Sequence, residues 1–423
     1  MSHPLQVIQK WLTLLLSATG LFLSAWIVVP APTMPLLILG VGAPEVSPWL
    51  LVLNVISLTV CFATSAPYWS TPRFANANAK TRLLSLWGRP YSRALRLALY
   101  SSLIACLLSS LPLLQIPATQ ERFISAMYKA LGADYLAKIP KEVQLKMRSH
   151  PFSLADSFRG IAASKARYTA DIRFATRNGV PLSMDIYRPI QVGQYPAIVV
   201  IYGGAWQRGN PRLNADFSRY MAARGYTVFA IDYRHAPRYP FPAQLDDVRA
   251  ALAFIRLHAA DYEADPARIA LLGRSAGAHL AMLAAYEPNA PPVRAVISYY
   301  GPVDLVKGYA EPPRPNPINT RAVLKAFLGG SPTEVPQLYR LASPISYVTT
   351  QMPPTLLVYA SRDHIVEVRF GQKMYERLRT VGSTVVFLKI PWAEHAFDAV
   401  FQGPSNQLAL YYTERFLAWA LRD

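Results

Sequence analysis

Ile269-Ala-Leu-Leu-Gly-Arg-Ser-Ala-Gly-Ala-His-Leu-Ala-Met-Leu-Ala-Ala285 joins a short apolar run, closed by Gly273, to a second apolar run with helical spacing that begins just after Ser275. Between them, Gly273-Arg274-Ser275-Ala276-Gly277 fits G-x-S-x-G, a sharp strand-to-helix turn with a serine at its apex. Such a turn demands small neighbours. The serine takes strained backbone angles, and a side chain at either glycine would meet the adjoining strand or helix. In return the hydroxyl stands exposed at a helix N-terminus, where free N–H groups and the dipole favour developing negative charge.

Outward from this turn, strands and helices alternate. Ile172 to Ala175 and Leu182 to Ile186 alternate around Asn178-Gly179, as in a β-hairpin. Ala197 to Tyr202, Thr227 to Ile231, Val293 to Ser298, Thr355 to Tyr359 and Thr384 to Lys389 are further apolar β runs. Helical spacing marks 214–223, 244–258, 368–379 and 406–421. Strands alternating with helices predict an α/β fold, a mostly parallel sheet covered on both faces, over residues 166–423.

A serine is a weak nucleophile until a base takes its proton. In this strand–turn–helix setting the partners follow in the order serine, carboxylate, histidine. Beyond Ser275 the histidines are His279, His364 and His395. His279 lies one turn along the same helix and reads as a packing or surface residue. His395 follows the last strand, at the expected C-terminal end of the sheet, and is the expected base; His364 is the alternative. Asp363 follows an apolar strand and is the expected acid, with Glu394 and Asp304 as rivals and a helix N-cap as its alternative role. The oxyanion requires convergent backbone N–H groups. Ala276 supplies one, and the loop Tyr202-Gly-Gly-Ala-Trp206 offers Gly204 and Ala205 as the others.

From about Tyr168 to the end the chain resembles α/β-hydrolases of the hormone-sensitive-lipase and feruloyl/acetyl esterase type. The resemblance is carried by Tyr202-Gly-Gly-Ala-Trp206, by Asp232-Tyr-Arg-His-Ala-Pro237 with Phe241-Pro-Ala243 and Asp246-Asp247, by the turn at Ser275, by Asp363, and by His395-Ala-Phe397. It implies a Ser275–His395–Asp363 triad, an acyl-enzyme route and no metal or cofactor. Two departures stand out: Tyr202 replaces the family's usual histidine, and Arg274 places a cation beside the nucleophile. Membrane-anchored relatives such as prenylcysteine methylesterases keep a lipid-like ester within the expected substrates. An amidase, peptidase or acyltransferase on the same triad, or an inactive membrane-tethered binding module, are the alternative readings. Tyr299 to Tyr347, rich in proline and aromatic residues, is expected to cap the pocket.

The first 120 residues are different in kind, with Glu45 as their single acidic residue. Trp11 to Val29, Trp49 to Ala66 and Leu95 to Ile116 are each long and apolar enough to cross a bilayer. A transmembrane region over 1–119 and an amphipathic linker over 120–165 are therefore expected, with a solvated linker helix an equal reading of the latter. Lys10, Arg73, Lys80, Arg82, Arg89 and Arg93 flank these spans while 30–48 carries no Lys or Arg, which puts the N-terminus in the cytoplasm and the catalytic domain outside it. Hydrophobic residues make up 52% and charged residues 16% of the 423-residue chain. The net charge of +18 is scattered, without a nucleic-acid-binding motif, and reads as attraction to a membrane surface. Two cysteines, Cys61 and Cys106, both in apolar segments, imply neither a disulfide framework nor a metal site.

Overall fold

The computed structural model describes residues 3–65 and 93–422. Arg73, Lys80, Arg82 and Arg89, on which part of the orientation argument rests, lie outside the described residues.

Three long apolar helices open the chain: α1 (His3–Ala25), α3 (Ser47–Ser65) and α4 (Arg93–Leu131), with the shorter α2 (Met34–Glu45) between the first two. By length and composition α1, α3 and α4 can each cross a membrane. They pack on one another with polar residues inside and apolar ones outside. Asn54 donates to Ser24 Oγ at 2.9 Å and Ser109 Oγ at 3.1 Å, and Ser57 Oγ lies 2.8 Å from Ser102 Oγ. Leu107 and Leu114 remain 67% and 71% exposed. In water that pattern would be inverted; in lipid, small polar side chains hold helices together because leucine gains nothing by burial. α4 continues through Pro112 and Pro117 to Leu131, so residues 120–131 extend the third long helix, about 58 Å in all. Neighbouring side chains and backbone adjustments tolerate proline in such helices.

Two short helices, α5 (Lys141–Gln144) and α6 (Leu154–Arg159), lead into an eight-stranded sheet of order β1-β2-β4-β3-β5-β6-β7-β8. The strands are β1 (Arg167–Arg177), β2 (Val180–Arg188), β3 (Tyr195–Ile201), β4 (Thr227–Ile231), β5 (Ala264–Arg274), β6 (Ala295–Tyr299), β7 (Thr355–Ala360) and β8 (Val385–Ile390). β2 runs antiparallel to β1 and β4, and the remaining pairs are parallel. Asn178 and Gly179 have φ of 50° and 75°, the left-handed pair that closes a two-residue hairpin. Helices α7 (Ala215–Ala222), α8 (Ala243–Leu257), α9 (Ala276–Tyr286), α10 (Leu305–Ala310), α11 (Thr320–Leu328), α12 (Pro336–Leu341), α13 (Val368–Thr380) and α14 (Pro404–Ala420) complete the chain. The expected α/β architecture is present. β3, β4, β6 and residues 269–273 of β5 are almost wholly apolar because both sheet faces are covered.

Register brings the functional loops together. Ile201 pairs with Gly273, so the loop after β3 emerges beside the turn after β5. Ala360 pairs with Ile390, so the loops after β7 and β8 leave the sheet side by side, tied by Arg362 N–H to Ala393 O at 3.0 Å.

Candidate active site

Ser275 sits between β5 and α9 with φ 51° and ψ −120°, a conformation costing about 1–3 kcal/mol that the surrounding packing must hold. The packing leaves no alternative. A Cβ on Gly273 would lie 2.2 Å from Gly277 O, and one on Gly277 would lie 2.1 Å from Ile201 O. Ser275 N–H donates to Tyr299 O at 2.9 Å, which fixes the turn to β6.

His395 Nε2 lies 3.0 Å from Ser275 Oγ, and His395 Nδ1 lies 2.7 Å from Asp363 Oδ2. The carboxylate accepts from Nδ1–H, leaving Nε2 as the acceptor for the serine proton. Burial disfavours the imidazolium, yet the charge and hydrogen bond of Asp363 outweigh it and hold the ring's pKa above the usual 6.5. Asp363 Oδ1 is engaged separately, accepting the Ile365 and Val366 N–H groups at 2.8 and 2.7 Å. The N-cap-like bonds and the contact to histidine therefore coexist on one carboxylate.

The rivals fall elsewhere. Asp304 caps α10 through Lys307 N–H at 3.0 Å and pairs with Lys373. His364 Nδ1–H donates to Glu394 Oε2 at 2.5 Å, and that carboxylate raises its pKa. Glu394 has a different job. Its Oε1 accepts the N–H of His364 at 2.7 Å and of His395 at 2.9 Å, bridging the loops that carry Asp363 and His395.

Across from Ser275, His395 and Asp363, residues Gly203, Gly204 and Ala205 form the turn after β3. A Cβ on Gly203 would lie 2.8 Å from Arg274 O, and Gly204 has φ +141°. Ala205 and Trp206 follow at φ 54° and 60°. Among the described residues none accepts a hydrogen bond from the amides of Gly204, Ala205 or Ala276. Ala205, Trp206, Ser275 and Ala276 line one end of a mainly apolar cavity of about 60 Å³, closed by Leu305, Leu324 and Phe370 among others. The cap expected between Tyr299 and Tyr347 thus supplies pocket wall.

The family BD-FAE matches residues 184–378, just under half of the chain. A probable carboxylic ester hydrolase of Mycobacterium tuberculosis, LipM, is 33% identical over 252 residues, covering 56% of this chain and 57% of its own. The esterase LipQ of the same organism is 32% identical, covering 58% and 61%. The chain thus spans less than two thirds of the length of these relatives. A bifunctional GH43-CE protein of Bacteroides eggerthii shares the fold at TM-score 0.51 and 27% identity, over 60% of this chain and 38% of that one. The sheet order, the strained serine turn and these likenesses agree.

The domain has the α/β-hydrolase fold, and its sequence is similar to those of esterases.

The two departures noted in the sequence, Tyr202 and Arg274, have clear partners in the fold. The Tyr202 hydroxyl donates to Asp232 Oδ1 at 2.5 Å and accepts from His235 Nε2–H at 2.9 Å, while its ring stacks on Tyr233 at 4.4 Å. It anchors the loop after β3 from behind. Arg274 turns away from Ser275. It pairs with Asp398, whose other oxygen accepts the Tyr300 hydroxyl, and its guanidinium lies 4.5 Å from the Phe217 ring centre. Tyr300 in turn packs 4.6 Å from the His395 ring. Neither partner is close in sequence, so only the fold reveals them.

His279 is wholly buried. Its Nδ1 accepts the Trp206 indole N–H at 3.2 Å and its Nε2–H donates to Ala342 O at 2.6 Å. Burial lowers its pKa to about 4, which keeps the ring neutral. The helical position four residues after Ser275 was visible in sequence; its partners were not.

Proposed function

We propose that this protein is a membrane-anchored serine carboxylesterase acting through an acyl-enzyme. The observation that carries the reading is the continuous path from Ser275 Oγ through His395 to Asp363, opening on an apolar cavity lined by Ala205 and Ala276. Ser275 attacks the ester carbonyl as His395 Nε2 accepts its proton. The imidazolium is stabilised by Asp363, and the carbonyl oxygen takes the negative charge toward the Gly204, Ala205 and Ala276 amides. His395 then protonates the leaving alcohol. Water, deprotonated by the same histidine, attacks the acyl-enzyme and frees the acid.

The likeness to LipM and LipQ supports a carboxylic ester substrate. Three helices with apolar exteriors and a polar seam support a membrane anchor, and the distribution of basic residues supports a catalytic domain on the extracytoplasmic side. The test is turnover of p-nitrophenyl esters by detergent-solubilised protein beside Ser275→Ala. Turnover lost in the variant is expected. An ester panel without turnover would contradict the reading. Protease protection of inverted and right-side-out vesicles tests the orientation.

A further inference from the structure

Glu45, the single acidic residue among the first 120, ends α2 and is only 2% exposed. Its Oε2 accepts the Ser405 N–H at 3.0 Å, at the start of α14. The N-cap of that helix is Gly403, where a Cβ would lie 2.4 Å from Glu45 Oε2. The side chain from the membrane section thus fills a socket that the hydrolase domain leaves open by having no side chain there. A helix N-terminus favours an acceptor in this position.

The socket adjoins the catalytic loops. α2 packs on the turn Phe397–Ala399, two residues beyond His395. Asp398 in that turn holds Arg274 and Tyr300, and Tyr300 packs on the His395 ring. On the other side, Arg362, which precedes Asp363, donates to Val28 O just beyond α1. The loops bearing base and acid both rest on the α1–α2 hairpin. Burial pushes the Glu45 carboxyl up to about 8, the negative charge of Asp398 adding to it while the Ser405 bonds oppose it. Glutamine, of the same length, offers the same carbonyl acceptor to the Ser405 N–H.

We propose that the membrane section is a working part of the active site, with Glu45 a positioning residue that seats the His395 loop through the N-terminus of α14. This rests on the serine-esterase reading of the site. A catalytic base displaced by a fraction of an ångström loses alignment with Ser275, and misplacement of about 1 Å costs on the order of a hundredfold in rate.

The test uses the full chain in detergent or nanodiscs, comparing wild type with Glu45→Gln, Glu45→Asp and Glu45→Ala. Each is assayed for kcat and KM on p-nitrophenyl butyrate, for the rate of fluorophosphonate labelling, and for Tm. Glu45→Ala is expected to lower kcat and labelling roughly ten- to a hundredfold with KM nearly unchanged, and Glu45→Gln to restore both. Glu45→Asp, one methylene short of Ser405, is expected to behave like the alanine variant and decides the matter where that variant fails to fold. Wild-type kcat in folded Glu45→Asp or Glu45→Ala would overturn the proposal, as would a loss in Glu45→Gln equal to that in Glu45→Ala. A wild type that neither turns over nor labels would instead remove the serine-esterase reading, and this inference with it.

Discussion

The Trp206 indole N–H donates to His279 Nδ1, linking the loop after β3 to the helix that starts beside Ser275. Trp206 also stacks on Phe327 of the cap at 4.1 Å, and His279 reaches Ala342 beyond it. Three parts of the site share one buried ring. Replacing His279 by alanine strands the indole N–H and a carbonyl, each worth about 1–3 kcal/mol when buried unpaired. The expected result is a lower Tm and a lower kcat, both measurable on Ser275-competent protein, with no change in the pH profile between 6 and 8, roughly, because the ring is neutral throughout that range.

The pH profile belongs to His395. Its pKa is raised in the folded protein, chiefly against burial by Asp363, and only the neutral ring can take the serine proton. Activity is therefore expected to fall as pH drops through a value above 6.5, the ordinary histidine pKa. Asp363→Asn removes the carboxylate that favours the imidazolium, so the acid limb of kcat/KM should move to lower pH. The same variant should lose about 10⁴ in kcat through the wrong tautomer. An unmoved limb would show that another group controls it.

Gly277→Ala tests the turn itself. The new methyl would lie 2.1 Å from Ile201 O and 2.4 Å from Tyr202 O, backbone atoms that cannot rotate aside. A loss of about 3 kcal/mol or more is expected, visible as a depressed Tm or as failure to accumulate. A variant of unchanged Tm would mean the turn is more open than described.

The Tyr202 hydroxyl is held by Asp232 and His235, with the Tyr233 carbonyl at 3.4 Å as a third partner. Tyr202→Phe should cost about 1–3 kcal/mol of stability and several-fold in kcat, with KM little affected, since the loop behind Gly204 loosens. Wild-type stability in the phenylalanine variant would contradict the anchoring role.

The cavity's size predicts selectivity. At about 60 Å³ it admits a handful of water-sized groups, so acetyl to butyryl esters should give the highest kcat/KM and palmitoyl esters far less. A long-chain optimum in the same assay would argue against this cavity as the acyl site.

What could be read from sequence was what is local. The Ser275 turn, the glycines after β3, and the apolar strands ahead of Asp363 and His395 each declare themselves within a few residues. The fold brings Ser275, His395 and Asp363 together. The rest depends on contacts far apart along the chain. Arg274 meets Asp398 across 124 residues, and Glu45 meets Ser405 across 360. Glu394 accepts two backbone amides, one of them on His364 across 30 residues, and no local pattern announces that bridge. The continuity of α4 past Ile116 was hidden by Pro112 and Pro117, whose helix-breaking tendency in water is relaxed where neighbouring groups re-satisfy the backbone.

The central claim, that Ser275 is a nucleophile activated by His395, is tested most directly by reacting the intact protein with a fluorophosphonate and locating the adduct by peptide mass spectrometry. A single adduct on Ser275, lost in Ser275→Ala and slowed in His395→Ala, is the expected result. Full esterase turnover with Ser275 unmodified, or undiminished labelling in Ser275→Ala, would contradict it.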